Sequence, residues 1–167
     1  IVVTDVTGSM SPYIAQVFMW LRGQTENTSA QGFVFFNDGD NKSSNRKKPL
    51  ETDGVYAVNN NSTEEVMSMA AKCMKKGSGG GENLENDIEA IILGQEQYKK
   101  IDEIILVADN RESMRDYKFI EKIKKPVHVI LCGSDRRVNI QYLDLARQTK
   151  GSVHTKEKDI LKLEDLE

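Results

Sequence analysis

The first ten residues, IVVTDVTGSM, place three oxygen-bearing side chains at alternate positions directly after an apolar run. Asp5 carries a carboxylate, and Thr7 and Ser9 carry hydroxyls. These residue types at this spacing are compatible with a helix cap, with a nucleophilic aspartate, or with a cradle for a metal ion. The choice among the three depends on what other side chains join them.

Two further segments supply oxygen donors. The glycine-rich loop GSGGGEN contains Glu82 and Asn83, and the apolar run IILVAD ends in Asp109. The whole set contains no sulfur and no imidazole, and such all-oxygen sets favour hard cations. A partial cage of hydroxyls and carboxylates suits Mg²⁺, which usually keeps several water ligands, with Mn²⁺ or Ca²⁺ as the alternative ions.

Short apolar, β-branched runs alternate with amphipathic stretches along most of the chain. Strands are predicted at 1–4, 32–38, 55–58, 101–109, 127–133 and 152–155. Helices are predicted between the strands, one of them at 111–125, and a terminal helix is predicted at 158–166. This alternation predicts one α/β domain over 1–167, doubly wound, with a mostly parallel central sheet, helices on both faces and one short antiparallel edge strand at 55–58.

Each candidate site residue also has a plainer interpretation. Asp5 or Ser9 can cap the first helix, Asp109 can start a turn with Asn110, and Glu82 can favour the N-terminus of the following helix. In doubly wound folds, however, ligands bind beyond the carboxyl ends of the strands, near the point where the strand order reverses. Three acidic or hydroxyl features are predicted to meet at that edge, which favours a binding site.

The pattern Asp5-x-Thr7-x-Ser9 resembles the metal-ion-dependent adhesion site of von Willebrand factor type A domains, in which the first strand ends in Asp-x-Ser-x-Ser. GFVFFND resembles the second strand of that family, and ILVADN resembles the strand whose final aspartate completes the site. The closing segments PVHVILCG and YLDLARQTKGSVHTKEKDILKL are similar to the family's last strands and helices, so the resemblance covers nearly the whole chain. The loop GGGEN is closest to bacterial members that carry Gly-Gly-Gly-Asp.

The resemblance implies a Rossmann-like fold and a non-catalytic, divalent-metal-dependent module for protein interaction or adhesion. It implies a metal site made of Asp5, Thr7, Ser9, Glu82 and Asp109, with Asn83 as an additional candidate. A partner protein would complete the metal shell with an acidic side chain, although a carboxylate at Glu82, where many members have threonine, would reduce the ion's attraction for it. The resemblance also implies that the last helix can shift.

Two enzymatic or nucleotide-binding alternatives remain open. A magnesium-dependent phosphotransferase or hydrolase of the haloacid dehalogenase type would use Asp5 as its nucleophile, but it needs a second aspartate where this chain has Thr7. A phosphate-binding loop at GSGGGEN would need a following Lys-Ser or Lys-Thr, which is missing. No histidine is predicted at the same edge to activate a hydroxyl.

The composition narrows the class of protein further. The 167 residues carry a formal net charge of -3, which gives no overall basic field for nucleic acid. No apolar run reaches the ~20 residues that span a membrane, and two cysteines are too few for a disulfide framework. His128 and His154 are expected to stand alone in structural roles. Because the chain begins inside a strand without Met, we expect it to be a piece of a longer protein.

Overall fold

Seven strands form one sheet in the computed structural model, which describes residues 1–27, 30–78, 83–133, 137–156 and 158–161. In chain order they are β1 Val2–Asp5, β2 Gly32–Phe36, β3 Val55–Asn59, β4 Ile104–Asp109, β5 Val127–Cys132, β6 Ser152–His154 and β7 Asp159–Ile160. Their spatial order is β3-β2-β1-β4-β5-β6-β7. The five central strands are parallel, which confirms the predicted fold class.

Antiparallel strands close both edges of the sheet. The edge strand predicted at 55–58 is β3, which pairs antiparallel with β2. A second antiparallel strand, β7, pairs with β6 at the opposite edge. Because the predicted terminal helix began at residue 158, this part of the prediction is wrong: Asp159 and Ile160 form a strand, and residues 162–167 lie outside the described part of the chain.

Four helices cover the two faces of the sheet: α1 Ile14–Asn27, α2 Thr63–Gly77, α3 Asp87–Gln97 and α4 Ile140–Thr149. α1 and α2 pack on one face against Val2, Phe33 and Phe35, while α3 and α4 pack on the other. Since successive strand residues point to opposite faces, a strand covered on both sides is apolar throughout. None of the helices in the described ranges is long and apolar enough to cross a membrane.

Local sequence signals predict some helix ends correctly and others not. The segment NSTEEV predicts a cap at Ser62 or Thr63, and Ser62 caps α2, because its side chain accepts a hydrogen bond from the backbone amide of Glu65 at 3.1 Å. Gly23 predicts a helix end nearby, but α1 continues to Asn27. The apolar spacing places Leu84 in the third helix, but Leu84 precedes α3 and is 41% exposed.

The amphipathic segment 111–125 contains a 3-10 helix over Tyr117–Lys122 where an α-helix was predicted. The first part of the segment is engaged elsewhere: the Met114 amide donates to the Gln141 side chain at 2.8 Å, and the Arg115 amide donates to the Glu85 carbonyl at 2.7 Å. Amide groups bonded to other segments cannot close helical turns, so the periodicity of the side chains does not produce a long helix here.

The strand order reverses between β1 and β4. β1 pairs with β2 on one side, and β4 lies against its other side with Val2 opposite Ile105. In doubly wound sheets this reversal opens a crevice at the carboxyl ends of the two strands. The residues that end β1 and β4, Asp5 and Asp109, therefore flank the crevice.

Candidate metal centre

The two aspartates that end the central strands are both buried. Asp5 is 1% exposed and Asp109 is 4% exposed. One carboxylate oxygen of each fixes the turn that follows: Thr7 N donates to Asp5 Oδ1 and Arg111 N donates to Asp109 Oδ1, both at 2.7 Å. The other oxygen of Asp109, Oδ2, is buried without a hydrogen-bond partner.

Thr7 and Ser9 stand side by side after Asp5. Their hydroxyl oxygens, Oγ1 and Oγ, are 2.8 Å apart and share a hydrogen bond. Thr7 precedes a 3-10 turn over Gly8–Met10, and its side chain makes no capping hydrogen bond to that turn. The Thr7 hydroxyl is therefore directed to its neighbour Ser9 and not to the end of the turn.

The structure describes only the two ends of the glycine-rich loop GSGGGEN, namely residues 77–78 and Asn83. Glu82, the ligand predicted from this loop, lies outside the described residues. Asn83, the additional candidate, is described and exposed. The structure thus brings together Asp5, Thr7, Ser9 and Asp109 at one sheet edge.

Glu85 is the acidic residue that the sequence analysis missed. It is 3% exposed, and its Oε2 is buried without a hydrogen-bond partner. Its backbone is held by the segment after β4, because Glu85 N donates to the Ser113 carbonyl at 3.0 Å and Arg115 N donates to the Glu85 carbonyl at 2.7 Å. The sequence contained one sign of it, because GGGENLEND has a second glutamate three residues after Glu82.

The neighbouring Asn86 connects this segment to the loop that follows β2. Asn86 Nδ2 donates to the Asn37 carbonyl at 2.8 Å, and Asn37 Oδ1 accepts hydrogen bonds from the amides of Gly39 and Asp40. Asp38, in the same loop, adds charge repulsion to the burial that raises the pKa of both Asp5 and Glu85. The loop after β2, the segment before α3 and the segment after β4 therefore converge on the edge that Asp5 and Asp109 define.

Burial makes this edge unfavourable for uncompensated negative charge. Desolvation raises the pKa of Asp5 to about 7, although its hydrogen bonds with Thr7 oppose the shift. Desolvation, followed by repulsion from Asp5 and Asp38, raises the pKa of Glu85 to about 11. In the part of the chain that the structure describes, neither residue forms an ion pair with a lysine, arginine or histidine. A bound cation would supply the missing positive charge.

A second pair of buried carboxylates lies at the N-terminus of α3. Asp116 Oδ2 accepts a hydrogen bond from Glu89 N at 2.5 Å, and Tyr142 donates to Asp87 Oδ1 at 3.3 Å. Burial raises the pKa of Asp116 to about 6 and that of Asp87 well above its ordinary value. Their positions suit the positive end of the helix, which gives the pair a structural role.

The donor chemistry fits a hard cation. The polar side chains named above are carboxylates, hydroxyls and amides, and the free oxygens of Asp109 and Glu85 are buried. Within the described ranges, no group of three or more His, Cys, Asp or Glu side chains is arranged so that it could hold a metal ion. An ion at this edge would therefore have to use the hydroxyls of Thr7 and Ser9 together with the carboxylates.

The two histidines lie away from this edge and do not stand alone. His128 Nδ1 is 2.7 Å from Ser152 Oγ, which is 2.6 Å from His154 Nε2, and His154 Nδ1 is 2.8 Å from Asp159 Oδ1. His128 is the second residue of β5, so it lies near the amino end of a strand whose carboxyl end neighbours Asp109. The hydrogen-bonded chain joins β5, β6 and β7.

Comparison of the chain with protein-family models, with curated proteins and with solved structures gave no match.

Proposed function

We propose that this chain is a non-catalytic module of the von Willebrand factor type A kind, which binds a partner protein through a divalent ion at the carboxyl edge of its sheet. The observation that carries the proposal is the position of Asp5 and Asp109. They end adjacent parallel strands on either side of the strand-order reversal, with the hydroxyls of Thr7 and Ser9 beside Asp5. The resemblance in the motif Asp5-x-Thr7-x-Ser9 supports the same conclusion.

The residues proposed to hold the ion are Asp5, Thr7, Ser9 and Asp109, with Glu82 and Asn83 retained as candidates from the loop. Glu85 is added as a buried carboxylate that would act through one of the ion's water ligands, because the described carboxylates do not by themselves form a metal-binding group of three. Mg²⁺ is the first choice of ion, because it accepts a mixed set of hydroxyls, carboxylates and waters. The bound ion would supply positive charge for an acidic side chain of the partner. Carboxylates from the chain itself would weaken that attraction, and Glu85 adds to this effect.

Calorimetric titration of the chain with Mg²⁺ or Mn²⁺ tests the metal part of the proposal. We expect binding by the unmodified chain and none by Asp5→Ala, while Asp102→Asn, an exposed aspartate at the amino end of β4, serves as the control. Unchanged binding by Asp5→Ala would exclude the site. Circular dichroism of each variant separates loss of binding from loss of fold.

The phosphotransferase alternative is tested on the same residue. Incubation with Mg²⁺ and acetyl phosphate, followed by mass spectrometry, would detect an aspartyl phosphate at Asp5. We expect no adduct, because Thr7 stands where that mechanism needs a second carboxylate, and the Thr7 hydroxyl is bonded to Ser9. A phosphate adduct at Asp5 would replace the binding proposal with an enzymatic one.

A further inference from the structure

A groove of about 560 Å³ runs along the outer face of α3. We call it the α3 groove. Its lining combines half-buried aliphatic side chains with lysines, among them Leu50, Ile92, Leu93, Lys99, Lys122 and Lys125. Its volume falls within the range of sites that take up small ligands or short peptide segments. None of its lining residues belongs to the candidate metal centre.

Two side chains of α3 hold the walls of the α3 groove in place. The Glu89 carboxylate accepts hydrogen bonds from Thr52 N at 3.0 Å and from Asp53 N at 3.3 Å, which fixes the loop that carries Leu50. At the other end, Gln95 Oε1 accepts from Lys124 N at 2.6 Å, and Gln95 Nε2 donates to the Lys122 carbonyl at 3.3 Å. Walls fixed by such bonds reduce the entropy cost of binding.

The rim of the α3 groove is basic although the whole chain has a net charge of -3. Lys124 Nζ is engaged with the Glu121 carbonyl at 2.7 Å, and Lys122 Nζ lies 5.0 Å from the centre of the Phe119 ring. Among the residues that the structure describes, Lys99 and Lys125 form no ion pair. These ammonium groups are therefore available to a ligand with negative charge.

The lining also contains two carboxylates, but they do not neutralise the rim. Glu89 is occupied by the backbone amides of Thr52 and Asp53. Glu96 is exposed on the last turn of α3. The lining contains more lysines than glutamates, so its net charge is positive. The lysines are Lys99, Lys122, Lys124 and Lys125.

We propose that the α3 groove binds a short helical segment of a partner protein. One face of this helix would carry aliphatic side chains, with acidic side chains beside them. The aliphatic side chains would cover Ile92 and Leu93, which are only partly buried against the core, and the carboxylates would reach Lys99 and Lys125. Nucleic acid is disfavoured because Tyr98, the aromatic residue of the lining, is 6% exposed and offers no face for a base to stack on.

Fluorescence anisotropy with a defined probe tests the proposal. The probe is a fluorescein-labelled synthetic peptide of leucine and glutamate at helical spacing, titrated with the full chain. We expect saturable binding that weakens as salt is raised, because Lys99 is exposed and Lys125 is only half-buried. A peptide with serine in place of leucine, and one with glutamine in place of glutamate, should each bind about tenfold more weakly or not at all. Absence of binding by the first peptide overturns the proposal.

Protein variants locate the binding surface. The double variant Lys99→Glu with Lys125→Glu should weaken peptide binding by about tenfold or more, since each change replaces an attraction with a repulsion. Lys75→Glu, an exposed change on α2 across the sheet, should leave binding unchanged. Equal weakening by Lys75→Glu would overturn the proposal, because it would show a general charge effect.

Two competing ligands and one additive complete the test. Single-stranded DNA and vesicles of phosphatidylserine are measured with the same protein, and displacement of the peptide by either one at equal charge concentration counts against a peptide-specific groove. EDTA should not change peptide binding, because the groove contains no residue of the metal centre. The result is thus independent of the proposed metal-dependent function.

Discussion

The hydroxyls of Thr7 and Ser9 form a hydrogen-bonded pair, with 2.8 Å between their oxygens, two and four residues beyond the buried carboxylate of Asp5. A hydroxyl that donates to its neighbour still has lone pairs, and rotation of the O–H bonds exposes them without moving the backbone. The pair is therefore arranged to offer two neutral oxygen ligands to a cation, at little cost in reorganisation.

Removing one hydroxyl of this pair should weaken metal binding. For Ser9→Ala we expect the Mg²⁺ or Mn²⁺ dissociation constant to rise by about 10- to 100-fold, the range observed when support for a metal site is lost. The backbone should be unaffected, because the Ser9 hydroxyl is hydrogen-bonded to the side chain of Thr7 and not to a backbone group. Isothermal titration calorimetry measures the change.

Ser11→Ala is the matched control for Ser9→Ala, since Ser11 is exposed and only two residues away. Its metal affinity should equal that of the unmodified chain. If Ser9→Ala also binds the ion with unchanged affinity, the Ser9 hydroxyl is not a ligand.

Glu85→Gln should separate metal binding from fold stability. Because burial raises the pKa of Glu85 to about 11 when no ion is present, the residue is neutral at pH 7 and glutamine is a close substitute. The melting temperature without metal should therefore change little. The rise in melting temperature on adding Mg²⁺ should shrink, because the variant cannot offer a carboxylate.

Differential scanning fluorimetry with and without Mg²⁺ provides both readouts for Glu85→Gln. Glu64→Gln, an exposed change in the first turn of α2, should retain the full metal-induced rise. A full rise in Glu85→Gln would remove Glu85 from the proposed ligand set.

Metal affinity should increase with pH around neutrality. A proton and a metal ion compete for the Asp5 carboxylate, and burial raises the pKa of that group to about 7. Below pH 7 the ion must displace the proton, whereas above it the carboxylate is already charged. Titrations at pH 6 and pH 8, each in two buffers of different ionisation enthalpy, would show tighter binding at pH 8 and proton release at pH 6. Equal affinities at the two pH values would contradict a role for Asp5 as a ligand.

Asp116 should make the metal-free fold less stable as pH rises from about 4 to 6. The pKa of its carboxyl is about 6 in the folded state, against an ordinary value of 3.8, so the folded state holds the proton more tightly than the unfolded state in this window. Raising the pH through the window therefore favours unfolding by about 3 kcal/mol, with no further contribution above pH 6.

Asp116→Asn should remove that share of the pH dependence. An asparagine keeps an oxygen that can accept the hydrogen bond from Glu89 N but carries no charge to bury. The free energy of unfolding, from urea titrations in EDTA at pH 4 and pH 7, should fall less for the variant than for the unmodified chain. Equal falls would show that Asp116 does not titrate in this window.

The sequence was sufficient to predict the parts of the site that follow from strand ends. Asp5 and Asp109 each end an apolar run, and parallel strands that flank a reversal of strand order bring their carboxyl ends together. Thr7 and Ser9 follow from their spacing after Asp5. All four could be assigned to one sheet edge without coordinates.

Glu85 could not be assigned in the same way, because its position depends on a contact between distant segments. Its amide and carbonyl are bonded to Ser113 and Arg115, which lie about 30 residues further along the chain. No periodic pattern marks such a pairing in either segment. The same contacts explain why the segment after Asp109 forms a 3-10 helix where side-chain spacing predicted an α-helix.

At the C-terminal end of α4, the residue that ends the helix is not the one that its sequence suggests. A glycine just beyond a helix commonly supplies the left-handed residue that ends it, and Gly151 stands two residues after α4. Instead Lys150 adopts that conformation, with a φ of 61°, and Gly151 is required for another reason. A Cβ at Gly151 would lie 1.8 Å from the carbonyl oxygen of Val127, at the start of the neighbouring β5.

Gly151→Ala should therefore destabilise the fold, whereas Gly23→Ala should not. The first change forces β5 and the start of β6 apart, which we expect to cost about 3 kcal/mol. Gly23 lies inside α1, and a Cβ there meets no atom within 4 Å. Its replacement by alanine should raise the free energy of unfolding by about 0.5–1 kcal/mol, because alanine loses less conformational entropy in a helix. Urea titrations of both variants give the two values, and a Gly151→Ala protein as stable as Gly23→Ala would contradict the close approach between Gly151 and Val127.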